Sequence, residues 1–188
     1  MHENILNQEI QDHIDLANQI KFEFQKKIIQ VSEIIANAIN NKKKVILFGN
    51  GGSAADAQHI AAEFTGRFVK ERLGLPAIAL TTDTSALTAI GNDYGFDVIF
   101  SRQVEALANV GDVLIGISTS GNSTNVLKAI EKGKELNCFT ISLTGKNGGV
   151  IAKCSDLNIN IKHSVTARIQ EMHILVGHLI CSLIDLKY

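Results

Sequence analysis

His59 and Glu63 stand four residues apart in a stretch that is otherwise small and mostly apolar, Ala54-Ala55-Asp56-Ala57-Gln58-His59-Ile60-Ala61-Ala62-Glu63. Helical spacing puts the imidazole and the carboxylate on one face, about 6 Å apart along the axis. Many pairs so spaced are surface pairs or satisfied helix histidines. Here the small neighbours predict close packing, and a buried His–Glu pair then needs a partner, a metal or a substrate. Polar groups also interrupt an apolar C-terminal stretch, Arg168-Ile169-Gln170-Glu171-Met172-His173-Ile174-Leu175-Val176-Gly177-His178. His178 is followed by Leu179-Ile180-Cys181, a poor place for a solvated imidazole. Its plain alternative is a core histidine satisfied by a carbonyl.

Two further segments have the composition of phosphate cradles: Gly49-Asn50-Gly51-Gly52-Ser53 and Ser118-Thr119-Ser120-Gly121-Asn122-Ser123. Each follows a short apolar run and precedes a helical pattern. Glycine and hydroxyl residues placed there offer backbone N–H donors at the positive end of a helix dipole. Gly49-Asn50-Gly51-Gly52-Ser53-Ala54 also satisfies the GxGxxA dinucleotide fingerprint. That reading wants an acid about 20 residues on, at the end of the next strand, whereas Asp83 comes 34 residues after Gly49. The lysine of a P-loop is missing as well. Ser118, Thr119, Ser120 and Ser123 suit a terminal phosphate monoester better, since four hydroxyls and a helix start can wrap it on several sides.

These groups need a scaffold, and the chain supplies an alternating one. Short, continuously apolar strands are predicted at 45–48, 77–80, 113–117, 139–143 and 157–161, with helices near 53–68, 100–108, 123–136 and 166–186. Strands apolar on both faces belong in a parallel sheet covered on both sides. Ligands then bind beyond the carboxyl ends of the strands, where the two cradles and Thr81-Thr82-Asp83-Thr84-Ser85 converge. Residues 3–41 repeat apolar positions at helical spacing, from Leu6, Ile10 and Ile14 through Phe24 and Ile28 to Ile35 and Ala38. That stripe is too long for a small sheet to cover, so a partner subunit is expected, and Ile28→Glu is expected to separate the subunits. The whole chain reads as one domain, 1–188, with an oligomerising helical segment at 1–41 and an α/β core at 42–188.

Composition narrows the partners. A net charge of −1 over 188 residues offers no broad basic face for nucleic acid or an anionic membrane. No apolar run is long enough to span a bilayer, and no basic-then-apolar leader opens the chain. Three cysteines far apart make no disulfide framework and no metal pair. A cytoplasmic protein is expected.

With these segments in hand the chain resembles the phosphoheptose isomerase family, within the wider sugar isomerase (SIS) domain class. The resemblance is carried by Asn50 to His59, Glu63, Thr81 to Ser85, Gly91-Asn92-Asp93-Tyr94-Gly95, Ser118 to Ser123, Arg168 to Glu171, His173 and His178. It implies a three-layer αβα sandwich with a five-stranded parallel, flavodoxin-like sheet. It also implies a homotetramer with active sites between subunits. The implied reaction converts sedoheptulose 7-phosphate to D-glycero-D-manno-heptose 7-phosphate, for heptose of bacterial lipopolysaccharide or capsule. By resemblance Glu63 is the catalytic base and His178 the acid. Asn50, Gly51, Gly52, Ser53, Arg67, Asp93, Ser118, Thr119, Ser120, Ser123 and Gln170 would bind substrate. His59, Glu63, Gln170 and His178 would hold one zinc ion per subunit. Gln170 and His178 are about 12 Å apart along a straight helix. So Gln170 is expected at a bent helix start, or one of the two comes from a neighbouring subunit. A non-catalytic regulator of the same class, such as a DnaA initiator-associating protein, is the alternative, and retention of Glu63, Gln170 and His178 argues against it.

Overall fold

The computed structural model describes residues 1–188. Strands β1 (Val45–Gly49), β2 (Ala77–Ala79), β3 (Val113–Ser118), β4 (Phe139–Gly145) and β5 (Leu157–Ile161) form one sheet in the order β2-β1-β3-β4-β5. Every neighbouring pair is parallel. Alternate side chains of the central strands feed two cores. Val45, Leu47, Ile115 and Ile117 pack under α2 (Gln25–Asn40), α3 (Gly52–Thr65) and α8 (Thr166–Asp185). Ile46, Phe48 and Leu114 face α5 (Ile99–Leu107) and α6 (Thr124–Glu135). The result is the expected αβα sandwich. In this strand order the direction in which strands are added reverses between β1 and β3, so the crevice lies between their carboxyl ends. The loops leaving those two strands are the two predicted cradles.

Two helices escaped the periodicity. α4 (Thr84–Tyr94) fully buries no residue; only Leu87 and Ile90 pack partly against the second core, and its threonines, glycine and asparagine are weak helix formers. Its one legible signal was Asp83, whose side chain caps it by accepting from Ala86 N at 2.9 Å. The six-residue α7 (Gly149–Cys154) is too short for a pattern.

The N-terminal segment is one continuous rod. α1 (His2–Gln19) runs through a π turn at Ile20–Phe24 into α2. The wider turn rotates the apolar stripe, and from Leu16 onward that stripe is buried in the chain's own core. Before the turn it is not: Leu6, Ile10 and Ile14 are 61%, 58% and 47% exposed. The Ile28→Glu expectation therefore needs correcting. Ile28 is buried within its own protomer, so a charge there would disrupt the fold rather than an interface. No helix is long and apolar enough to cross a membrane.

Candidate active site

α3 and α8 lie side by side. Gly177 permits the close approach: a Cβ at that position would stand 2.5 Å from Ile60 Cδ1. This contact brings His178 to the face of α3 that carries His59 and Glu63. His59 Nε2 is 3.1 Å from Glu63 Oε1, and His178 Nε2 is 3.4 Å from His59 Nε2. One donor atom from each of the three residues falls within 4.8 Å of the others. The spacing i, i+4 predicted the first pair and the family resemblance the third member, but the expected burial is not met within one chain, where the His59 side chain is 50% exposed.

In the hydroxyl-rich loop the serine side chains turn toward one another. Ser123 precedes α6 but makes no capping bond to it; its Oγ lies 2.9 Å from Ser118 Oγ instead. Ser118 Oγ is also 3.4 Å from Ser120 Oγ, so three of the four hydroxyls converge. The first turn of α6 therefore presents N–H groups that Ser123 does not consume, the arrangement that binds an anion. Ser53, in the first turn of α3, is buried beside Gly49, and Gly51 at φ +58° lies open at the mouth.

A feature missed in the sequence joins the two loops. Asn50 and Asn125 form a reciprocal amide pair, Asn50 Nδ2 to Asn125 Oδ1 at 2.8 Å and Asn125 Nδ2 to Asn50 Oδ1 at 2.9 Å. Asn125 is buried, and its Oδ1 also accepts from Val126 N. Asn50 thus holds the crevice together, and the pair uses only one N–H and one lone pair of its amide. Nothing in the sequence pairs residues 75 positions apart.

The other predicted residues separate. Gln170 sits inside the regular part of α8, not at a bent start, and packs on Gly52. Within one chain it is thus two turns from His178. Asp93 is exposed at the end of α4, bonded by Asn92. Arg67 is exposed just after α3, 3.6 Å from Glu71. His173 is fully buried, with its ring Nε2–H donating to Thr144 O at 3.0 Å. Burial pushes its pKa down to about 4, so it is neutral. The core-histidine alternative weighed for His178 describes His173.

Asp56 lies on the same stripe of α3, one turn before His59, with its buried Oδ2 unpartnered. Burial lifts its carboxyl to about 6, with His59 pulling the other way. The folded chain holds this proton more tightly than the unfolded chain does. Stability on this account falls as pH rises from about 4 to 6. Asp56→Asn is expected to melt about 2–4 °C above the parent at neutral pH, with the gain vanishing near pH 4. Thermal scans across that range check it.

The chain is similar over most of its length to proteins of one family. The SIS domain family profile matches residues 10–145. Over 180 residues the chain is 58% identical to the phosphoheptose isomerase of a Nitratiruptor species, covering 96% of each. A solved phosphoheptose isomerase from Neisseria gonorrhoeae superposes with a TM-score of 0.93 at 46% identity, covering 99% of this chain and 100% of that one. A second, from Francisella tularensis, gives 0.95 at 36% identity, covering 99% of both.

Proposed function

The chain belongs to the SIS-domain phosphoheptose isomerases, and on that premise we propose that Glu63 and His178 carry out its proton transfers. The enzyme is an aldose–ketose isomerase that converts sedoheptulose 7-phosphate to D-glycero-D-manno-heptose 7-phosphate. In that direction the base removes a proton from C1, leaving an enediol. The acid moves a proton between the two oxygens, and the base returns its own to C2. Glu63 Oε1 faces His59, which leaves Oε2 for the carbon-bound proton. The observation that carries this reading is the meeting of Glu63, His59 and His178 from two helices.

Two imidazole nitrogens and a carboxylate oxygen also match the three-ligand set of a catalytic zinc. His59, Glu63 and His178 would hold such an ion, with Gln170 as a fourth ligand. When bound, zinc polarises a carbonyl and steadies enediolate charge.

The site spans two copies of the chain in this reading. Glu63 lies eleven residues beyond Gly52 on α3, about 16 Å of rise, and the hydroxyl nest is at the Gly52 end. Gln170 is at that same end. One copy then supplies the nest and Gln170, and another supplies His59, Glu63 and His178. The uncovered stripe at Leu6, Ile10 and Ile14 gives the copies a surface on which to assemble as a tetramer, in the cytoplasm. Replacing these three by lysine is expected to yield folded smaller species with turnover down by more than about 100-fold. Light scattering and kinetics check this, and full activity from a verified monomer refutes the shared site.

Incubation with sedoheptulose 7-phosphate, followed by NMR of the products, tests the activity itself. An unchanged spectrum, with and without zinc, would favour a regulator.

A further inference from the structure

The segment between α3 and β2 has no regular secondary structure, yet it is pinned to both helices of the acid–base pair. Arg72 and Asp185 form an ion pair, Nε to Oδ1 at 2.8 Å, with side chains only 3% and 7% exposed. Arg72 Nη2 donates to Glu63 O and Nη1 to Phe64 O, both at 2.9 Å. Carbonyls at a helix C-terminus have no helical donor, so a last turn held in this way does not fray. That turn carries Glu63. Asp185, at the end of α8, also accepts from Val69 N and Lys70 N, each at 2.9 Å. These bonds fix the preceding residue, Phe68, whose ring lies 5.6 Å from the His178 ring at 32°.

We propose that Arg72, Asp185 and Phe68 form a positioning clamp for the acid–base pair. Arg72 sets the backbone of Glu63, Asp185 sets Arg72 and the segment, and Phe68 sets the plane of the His178 ring. The clamp ties the C-terminal ends of α3 and α8 to each other, beyond the Gly177 contact. A buried ion pair contributes little stability by itself, since desolvation offsets much of the attraction. Here the charged atoms instead hold backbone next to the two reactive side chains. None of the three is among the residues proposed to bind substrate, and in the shared-site reading the phosphate is gripped by the serine loop of another copy. Their loss should therefore act on kcat and spare KM.

This inference rests on Glu63 and His178 being the acid–base pair, and the test separates the two claims. Phe68→Leu keeps apolar bulk and removes the ring; Phe68→Tyr restores the ring. The leucine variant is expected to lose about tenfold or more in kcat with KM within about twofold. Its His178 ring-proton NMR signals should shift as the ring current is lost, and the tyrosine variant should recover both. Asp185→Asn should show the same kcat loss if it folds; the Phe68 pair decides the matter if it does not. Unchanged kcat in Phe68→Leu overturns the clamp, as does a proportional rise in KM or an equal loss in Phe68→Tyr. If Glu63→Gln leaves turnover intact, the acid–base assignment itself has failed; if it abolishes turnover while Phe68→Leu does not, only the clamp has.

Discussion

Glu63→Gln is expected to lower turnover by about 100- to 10,000-fold, the usual worth of a positioned general base. The amide keeps the size of the side chain and loses the proton acceptor. A nest variant, Ser120→Asp, should be equally inactive, because a carboxylate in the convergence of Ser118, Ser120 and Ser123 repels a phosphate. The informative result comes from mixing them. If nest and carboxylate belong to different copies, refolding the two dead proteins together rebuilds intact sites. Random assembly of two protomer types at such an interface restores about a quarter of them. A site contained within one copy would leave every mixture inactive. Product formation after co-refolding, against each variant refolded alone, distinguishes these outcomes.

Gly121→Ala is the second change with a large expected effect. Gly121 adopts φ +68°, and an added Cβ would stand 2.2 Å from Gly148 O. The obstacle is backbone, so no side chain can swing away. The same contact braces the nest from behind: Ile151 N donates to Gly121 O at 3.0 Å, and Val150 N to Asn122 Oδ1 at 3.2 Å. An alanine must push the serine loop off this strut. Strain and overpacking together should cost about 2–4 kcal/mol of stability. Loss of two hydrogen bonds to a charged phosphate, at about 1.5 kcal/mol or more each, should raise KM by about 100-fold. Urea denaturation and steady-state kinetics measure the two effects separately. An unchanged KM would show that the phosphate is held elsewhere.

The sheet was legible because its signals are local. β1 and β3 are continuous apolar runs, and such runs between helical stretches have few alternatives to a buried parallel sheet. α4 was not legible, because Leu87 and Ile90 alone pack partly on the core and two apolar positions among weak helix formers are too short a periodic trace. The N-terminal stripe was read correctly as too long to cover. It could not show where own-core packing ends, because the π turn that rotates it has no composition of its own.

At the site the division is similar. The residue types were set by the sequence: hydroxyls and glycines after one strand, a histidine and a glutamate one helical turn apart, a histidine in an apolar helix. Local rules reach four residues along a helix and a few along a loop, so they found each half-site. Which histidine of α8 joins His59 and Glu63 and which is core follows from the rotation of that helix against the sheet: His173 turns to Thr144 O and His178 to His59. The amide pair of Asn50 with Asn125, the Gly177 contact and the Arg72–Asp185 clamp join residues far apart in the chain. Only tertiary packing brings such groups together, because the free energy that aligns them comes from burying the surfaces between them rather than from any sequence-local preference.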